Sequence, residues 1–144
     1  MNSIRDTLRE WLSHHITTRN QIRADIIEMA QNTDGWDYYL KTKRGDQTYL
    51  VMPTIDIQEI AKRVSPDAHV IIITSNSPSS LQATINGWDA LTRLRRLSIF
   101  FVNPYATHEK HWALHPAAHD MLIGRTNLAA RLKTLFESVA PYTT

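Results

Sequence analysis

The chain contains no cysteine, which excludes disulfides, thiolate metal sites and a cysteine nucleophile. Glycine is nearly as scarce. Only Gly35, Gly45, Gly87 and Gly124 occur, and none sits in a Gly-rich loop after a strand, so a phosphate-cradling loop of the dinucleotide or nucleoside-triphosphate type is excluded. No apolar run approaches the roughly 20 residues needed to cross a bilayer, and charge enters early at Arg5 and Asp6. The expectation is a soluble, cytoplasmic protein with no membrane partner. A strong charge of one sign is also missing: 16 Lys and Arg face 14 Asp and Glu, a net +2. Bulk charge therefore does not point to nucleic acid.

What the 144 residues do contain fits one domain over 1–144, read as an N-terminal helical segment, 3–32, and an α/β core, 33–140. Ile4, Leu8, Trp11 and Leu12 share one helical face behind a Ser3 cap. Thr17-Thr18-Arg19-Asn20 breaks the pattern, and Ile22, Ile26, Met29 and Ala30 predict a second helix that stops at Asn32-Thr33-Asp34-Gly35. Trp36 to Thr42 and Gln47 to Ile55 read as a hairpin around the polar tip Lys43-Arg44-Gly45-Asp46. Pro53 removes a ladder donor, so the second arm should end or bend there.

Asp56 to Val64 has helical spacing, and Val70-Ile71-Ile72-Ile73 suits a central strand buried on both faces. Ser77-Pro78 opens an amphipathic helix running to about Arg95, and Leu97 to Val102 is a second buried strand. Together they form a βαβ unit with parallel strands. The turn Thr74-Ser75-Asn76-Ser77-Pro78 lies where a parallel sheet presents ligands, but without glycine it reads first as a helix cap. Farther on, Trp112-Ala113-Leu114 is a short edge strand, Pro116 starts a helical turn, and Thr126 caps a last helix with Leu128, Leu132, Leu135, Phe136 and Val139 on one face.

A helix leading into a hairpin with Asp37 on its first strand, then helix, buried strand, helix and buried strand, resembles the PD-(D/E)xK restriction-endonuclease-like fold. Within it the Mrr-like and Holliday-junction-resolvase-like branch is the most similar. His69 to Pro78 and Leu97 to Asn103 are similar to that branch's later βαβ unit, an apolar strand ending in Thr or Ser, a polar helix start and another apolar strand. The likeness spans about Ile22 to Asn103. It implies an α/β fold with a mixed central sheet flanked by helices and a core order α-β-β-α-β-α-β.

Carried onto this chain, the resemblance puts Glu28 in the place of the helical glutamate and Asp37 in that of the first motif aspartate. The E-x-K motif falls on Val51-Met52-Pro53 or Met52-Pro53-Thr54, which hold neither acid nor lysine. Mg²⁺ wants several hard oxygens, and hydrolysis needs a group beside it to activate water. Two readings remain: a relocated nuclease site with Asp56 or Glu59 as the acid and Lys41 as the base, or a nuclease fold without nuclease chemistry and without a cofactor, retained for binding DNA, RNA or a nucleoprotein complex. Taken alone, Asp37 reads as a strand-start residue beside Gly35 and Glu28 as a solvated helical position.

Basic residues fall into groups at Lys41, Lys43 and Arg44, at Arg93, Arg95 and Arg96, and at Arg125, Arg131 and Lys133. Each can contact phosphate, or simply be a solvated tip or a complement to a helix dipole. His108, His111, His115 and His119 are a weak metal-ligand set, since Pro116 and the strand at Trp112 interrupt the spacing that would bring imidazoles together. A protein-interaction scaffold or a homodimer is the other class of reading, with Trp11, Trp88 and Trp112 available to an interface.

Overall fold

The computed structural model describes residues 3–33 and 35–142. Its first element, α1 (Ile4–Arg23), is a single 20-residue helix, about 30 Å long at ~1.5 Å per residue. Ser3 caps it by accepting the Asp6 N–H at 3.1 Å. Leu8, Leu12 and Ile16 recur every four residues and are buried, which lays one face on the sheet. The break predicted at Thr17 to Asn20 is absent. Thr17 Oγ1 donates to the Ser13 carbonyl at 3.0 Å, which satisfies the hydroxyl within the helix. The helix ends later, at Ala24, whose φ of 50° is left-handed.

The predicted second helix is a strand. β1 (Ile26–Thr33) pairs antiparallel with β2 (Trp36–Thr42), so the segment 3–32 is one helix plus an edge strand. The apolar spacing that imitates a helical stripe does not share one buried face: Ile22 is 80% exposed and Met29 54%, while Ile26 packs partly against the core. Hydrogen bonds from β2 select the conformation there, and periodicity in one segment cannot register a partner. Asn32 and Gly35, both with positive φ, flank the turn between the strands. Asp34, read as part of the break, lies outside the described residues.

β2 and β3 (Gly45–Val51) make the predicted hairpin. Gly45 takes φ 130°, while Thr42 Oγ1 donates to the Gly45 carbonyl at 2.7 Å and accepts the Arg44 N–H at 3.2 Å. β3 stops at Val51, ahead of Pro53. Then come α2 (Ile57–Arg63), β4 (Val70–Ser75), α3 (Pro78–Asn86), α4 (Trp88–Thr92), β5 (Leu97–Val102), β6 (His111–Leu114), α5 (Pro116–Ile123) and α6 (Leu128–Glu137). The strands lie in sequence order in one six-stranded sheet. β3, β4 and β5 are parallel, and β6 is antiparallel to β5. This is an α/β fold with a mixed sheet flanked by helices.

Three smaller expectations shift. The crossover helix divides at Gly87, where an added Cβ would lie 2.3 Å from Ile57 Cγ1; α2 packs directly on that backbone. Asn127 rather than Thr126 precedes α6, with φ 57°, a conformation that asparagine tolerates. Pro116 opens eight helical residues rather than a single turn.

Every residue of β4 is buried, and successive side chains serve opposite faces. On one face Ile71 and Ile73 meet Leu8, Leu12 and Ile16 of α1. On the other, Val70 and Ile72 join Trp88, Leu91 and Leu132. Among the described residues no helix is long and apolar enough to cross a membrane.

Candidate nucleic-acid interface

Asp37 is 5% exposed, and both of its oxygens are engaged. Oδ1 meets Arg9 Nε at 2.7 Å, and Oδ2 accepts the Val51 N–H at 2.7 Å. Arg5 Nη1 donates to the Val51 carbonyl at 2.9 Å. The carboxylate thus ties α1 to the end of β3. A guanidinium stands beside it.

Glu28 lies on the exposed edge strand opposite Lys41, not on a helix. Lys41 is four residues along β2 from Asp37, roughly 13 Å at ~3.3 Å per residue, too far for Glu28 and Asp37 to share a metal. Asp56 caps α2 by accepting the Glu59 N–H at 3.2 Å, and Glu59 lies 4.0 Å from Arg63. Lys41 faces Asp46 across the hairpin. These residues do not fit a hydrated Mg²⁺, and among the described residues no three His, Asp or Glu side chains are grouped to hold a metal ion.

At the opposite end of the sheet the basic residues do converge. A groove of about 640 Å³ lies under the C-terminal turn of α1, lined by Arg19, Arg23, Arg44, His69 and Arg96 among others. Arg19 is its fixed member: it meets Asp25 Oδ2 at 3.1 Å, Gln47 Oε1 at 2.9 Å and the Tyr49 hydroxyl at 3.5 Å. Arg23, Arg44 and Arg96 have no carboxylate ion-pair partner among the described residues. Arg96 Nη2 lies 3.4 Å from His69 Nδ1. Burial first, then the Arg96 and Arg19 charges, holds the His69 imidazole below its ordinary range. A bound anion would relieve that crowding of positive charge.

The groove opens into a second hollow of about 460 Å³, and Arg19, Arg23, Gln47 and His69 line both. Here the walls are less polar: Tyr49, Ile71 and Phe100 form the sheet side, and His15 and Ile22 come from α1. Ser98 Oγ and His115 Nδ1, 2.8 Å apart, close the far side. Burial pushes the Tyr49 phenol up although Arg19 opposes the shift. His15 is pushed down to about 4, first by burial and then by His111 and Arg19.

Of the sequence-predicted basic residues, the groove collects Arg44 and Arg96 alone. Lys41 and Lys43 are exposed on the hairpin. Arg93 borders an apolar recess beside α2, and Arg95 faces Asp67 at 3.7 Å on the surface. Arg125 clamps Asp89 and Asp120, Arg131 reaches the Ile123 carbonyl, and Lys133 is exposed on α6. Arg19 and Arg23, missed because the helix was broken at Thr17, are i and i+4 on α1 and so share a face.

The four histidines scatter. His108 is exposed, and His111 packs its ring near Trp11, His15 and Phe100. His115 bonds Ser98, while His119 stands edge-on to Trp88. The tryptophans serve packing: Trp88 and Trp112 are buried, and Trp11 stacks on His15.

At the carboxyl ends of the parallel strands the chain seals itself. Asn76 Nδ2 donates to the Val139 carbonyl at 2.9 Å and Phe136 carbonyl at 3.2 Å, while its Oδ1 accepts the Trp112 Nε1–H at 2.8 Å. Ser77 caps α3, and Thr74 and Ser80 share a hydrogen bond at 2.8 Å. This turn is a cap and a tie.

The features together define a mixed α/β protein with a cationic groove at the amino ends of its parallel strands. Comparison with family models, with curated proteins and with solved structures finds no match to this chain.

Proposed function

We propose that this protein is a nucleic-acid-binding or nucleoprotein-complex subunit on a restriction-endonuclease-like frame, acting by binding rather than cleavage. The convergence of Arg19, Arg23, Arg44 and Arg96 on one groove carries the reading. Four guanidiniums with few carboxylates to neutralise them make a polyanion site despite the small net charge. The frame draws support from the order hairpin, α2, β4, crossover helices, β5, with Asp37 on the first hairpin strand. The reading of binding without cleavage draws support from the engagement of Asp37 by Arg9 and the Val51 amide, together with the apolar Val51-Met52-Pro53 where E-x-K would stand.

Titration of labelled single-stranded DNA and RNA at rising KCl tests the binding. Three or four phosphate contacts at ~0.7 each give a log–log slope of about −2 to −3. Affinity that is absent or indifferent to salt defeats the reading. The same substrates with Mg²⁺ are expected to stay intact. Cleavage abolished by Asp37→Ala would restore a nuclease.

A further inference from the structure

Resting on that reading of the groove, we propose that its ligand is a single strand, with a phosphate held in the cationic compartment and a neighbouring base inserted into the second hollow. Phosphate binding alone explains Arg23, Arg44 and Arg96. It does not explain the adjoining space. Tyr49, Ile71 and Ser98 are register partners in one row across β3, β4 and β5, and Phe100 stands beyond them on the same face. Tyr49, Ile71 and Ser98 are the buried floor, and the open apolar surface comes from half-buried Phe100 and exposed Ile22. These two offer a phosphate little, whereas a flat, partly apolar base gains by leaving water against them.

The two compartments are continuous at Arg19, which lines both. Its contacts to Asp25, Gln47 and Tyr49 hold the guanidinium in place before a ligand arrives, so little side-chain freedom is lost on binding. Polar edges are available too. The Ser98 hydroxyl and His115 ring lie at the wall of the hollow, where they can meet the hydrogen-bonding edge of a base. A duplex keeps its bases paired and stacked, and extruding one sacrifices both pairing and stacking. An unpaired strand has no such cost.

The discriminating experiment measures the intact protein's affinity, at fixed moderate salt, for a thymidine oligonucleotide, an abasic strand of equal length and a blunt duplex of equal length. The abasic strand keeps the phosphates and removes the bases. We expect it to bind roughly tenfold or more weakly than the thymidine strand, in line with stacking on an aromatic surface, and the duplex to bind weakly as well. Phe100→Leu should narrow the gap between the thymidine and abasic strands, whereas Arg44→Glu should weaken both alike. Equal affinity for the abasic and thymidine strands, or preference for the duplex, overturns the inference while leaving a salt-dependent anion groove. Failure of all three probes to bind with salt-sensitive affinity removes the groove reading and the inference together.

Discussion

The two ends of the central sheet are built from the same three parallel strands and serve opposite purposes. At the carboxyl ends, where open α/β sheets ordinarily take ligands, Asn76 binds carbonyls of the C-terminal segment and the Trp112 indole. At the amino ends, Arg19, Arg23, Arg44 and Arg96 meet around a groove. A polar residue with every bond made inside the protein is structural. Arg23, Arg44 and Arg96, with no carboxylate partner among the described residues, are available for a ligand. Polarity alone would not separate the two ends; whether it is satisfied internally does.

The comparison can be broken most forcefully at Asn76. Asn76→Ala strands the buried Trp112 N–H and the Val139 carbonyl, and unsatisfied buried groups cost ~1–3 kcal/mol each. Urea unfolding should show a loss of about 2 kcal/mol or more, with strand affinity under folding conditions unchanged. A stable variant with weakened binding would reverse the assignments of the two ends. The converse change is Arg23→Glu with Arg44→Glu: affinity for single-stranded DNA should fall on the order of a hundredfold at moderate salt, with a shallower salt slope, while Tm barely moves.

A smaller effect is expected at Asp37. Asp37→Ala leaves the Val51 N–H without its acceptor and Arg9 without its carboxylate. Stability should drop by about 1–3 kcal/mol, read by urea unfolding. Strand binding should not change, since neither residue borders the groove.

The mildest prediction concerns acid. The His15 imidazole in the native protein is pushed down to about 4, against ~6.5 in an unfolded chain. Between those values the unfolded state binds the extra proton, so stability is present above about pH 6.5 and declines as pH falls toward 4. His111, also held low by burial, acts in the same direction. Thermal melts across this range should show the decline, and His15→Phe should flatten it. A profile identical in the variant would show that His15 stays accessible to protons.

Much of the core was legible because burial leaves a local mark. Val70 to Ile73 reads as a strand buried on both faces, and it is one; Ser77-Pro78 signals a helix start, and α3 begins there. The edge was opaque. Ile26 to Thr33 is a strand because β2 supplies its hydrogen bonds, while its own spacing imitates a helix. That error also placed Glu28 on a helix, and reading Thr17-Thr18-Arg19-Asn20 as a break, when Thr17 bonds back to Ser13 within α1, hid the Arg19 and Arg23 pair. Arg96 was a candidate, but nothing local distinguishes it from Arg95, whose side chain pairs with Asp67 on the surface.

By itself the sequence determined the class of the fold, the hairpin, the parallel βαβ unit and the absence of an E-x-K motif, since periodicity, turn chemistry and residue identity are local. The tertiary structure alone decided that Asp37 is a tie to α1, that Asn76 closes one end of the sheet and that four arginines from α1, the hairpin and the start of β5 meet at the other. Those residues are far apart along the chain. Charge becomes a site only when folding brings like groups together faster than it supplies them with partners, and no local pattern records that balance.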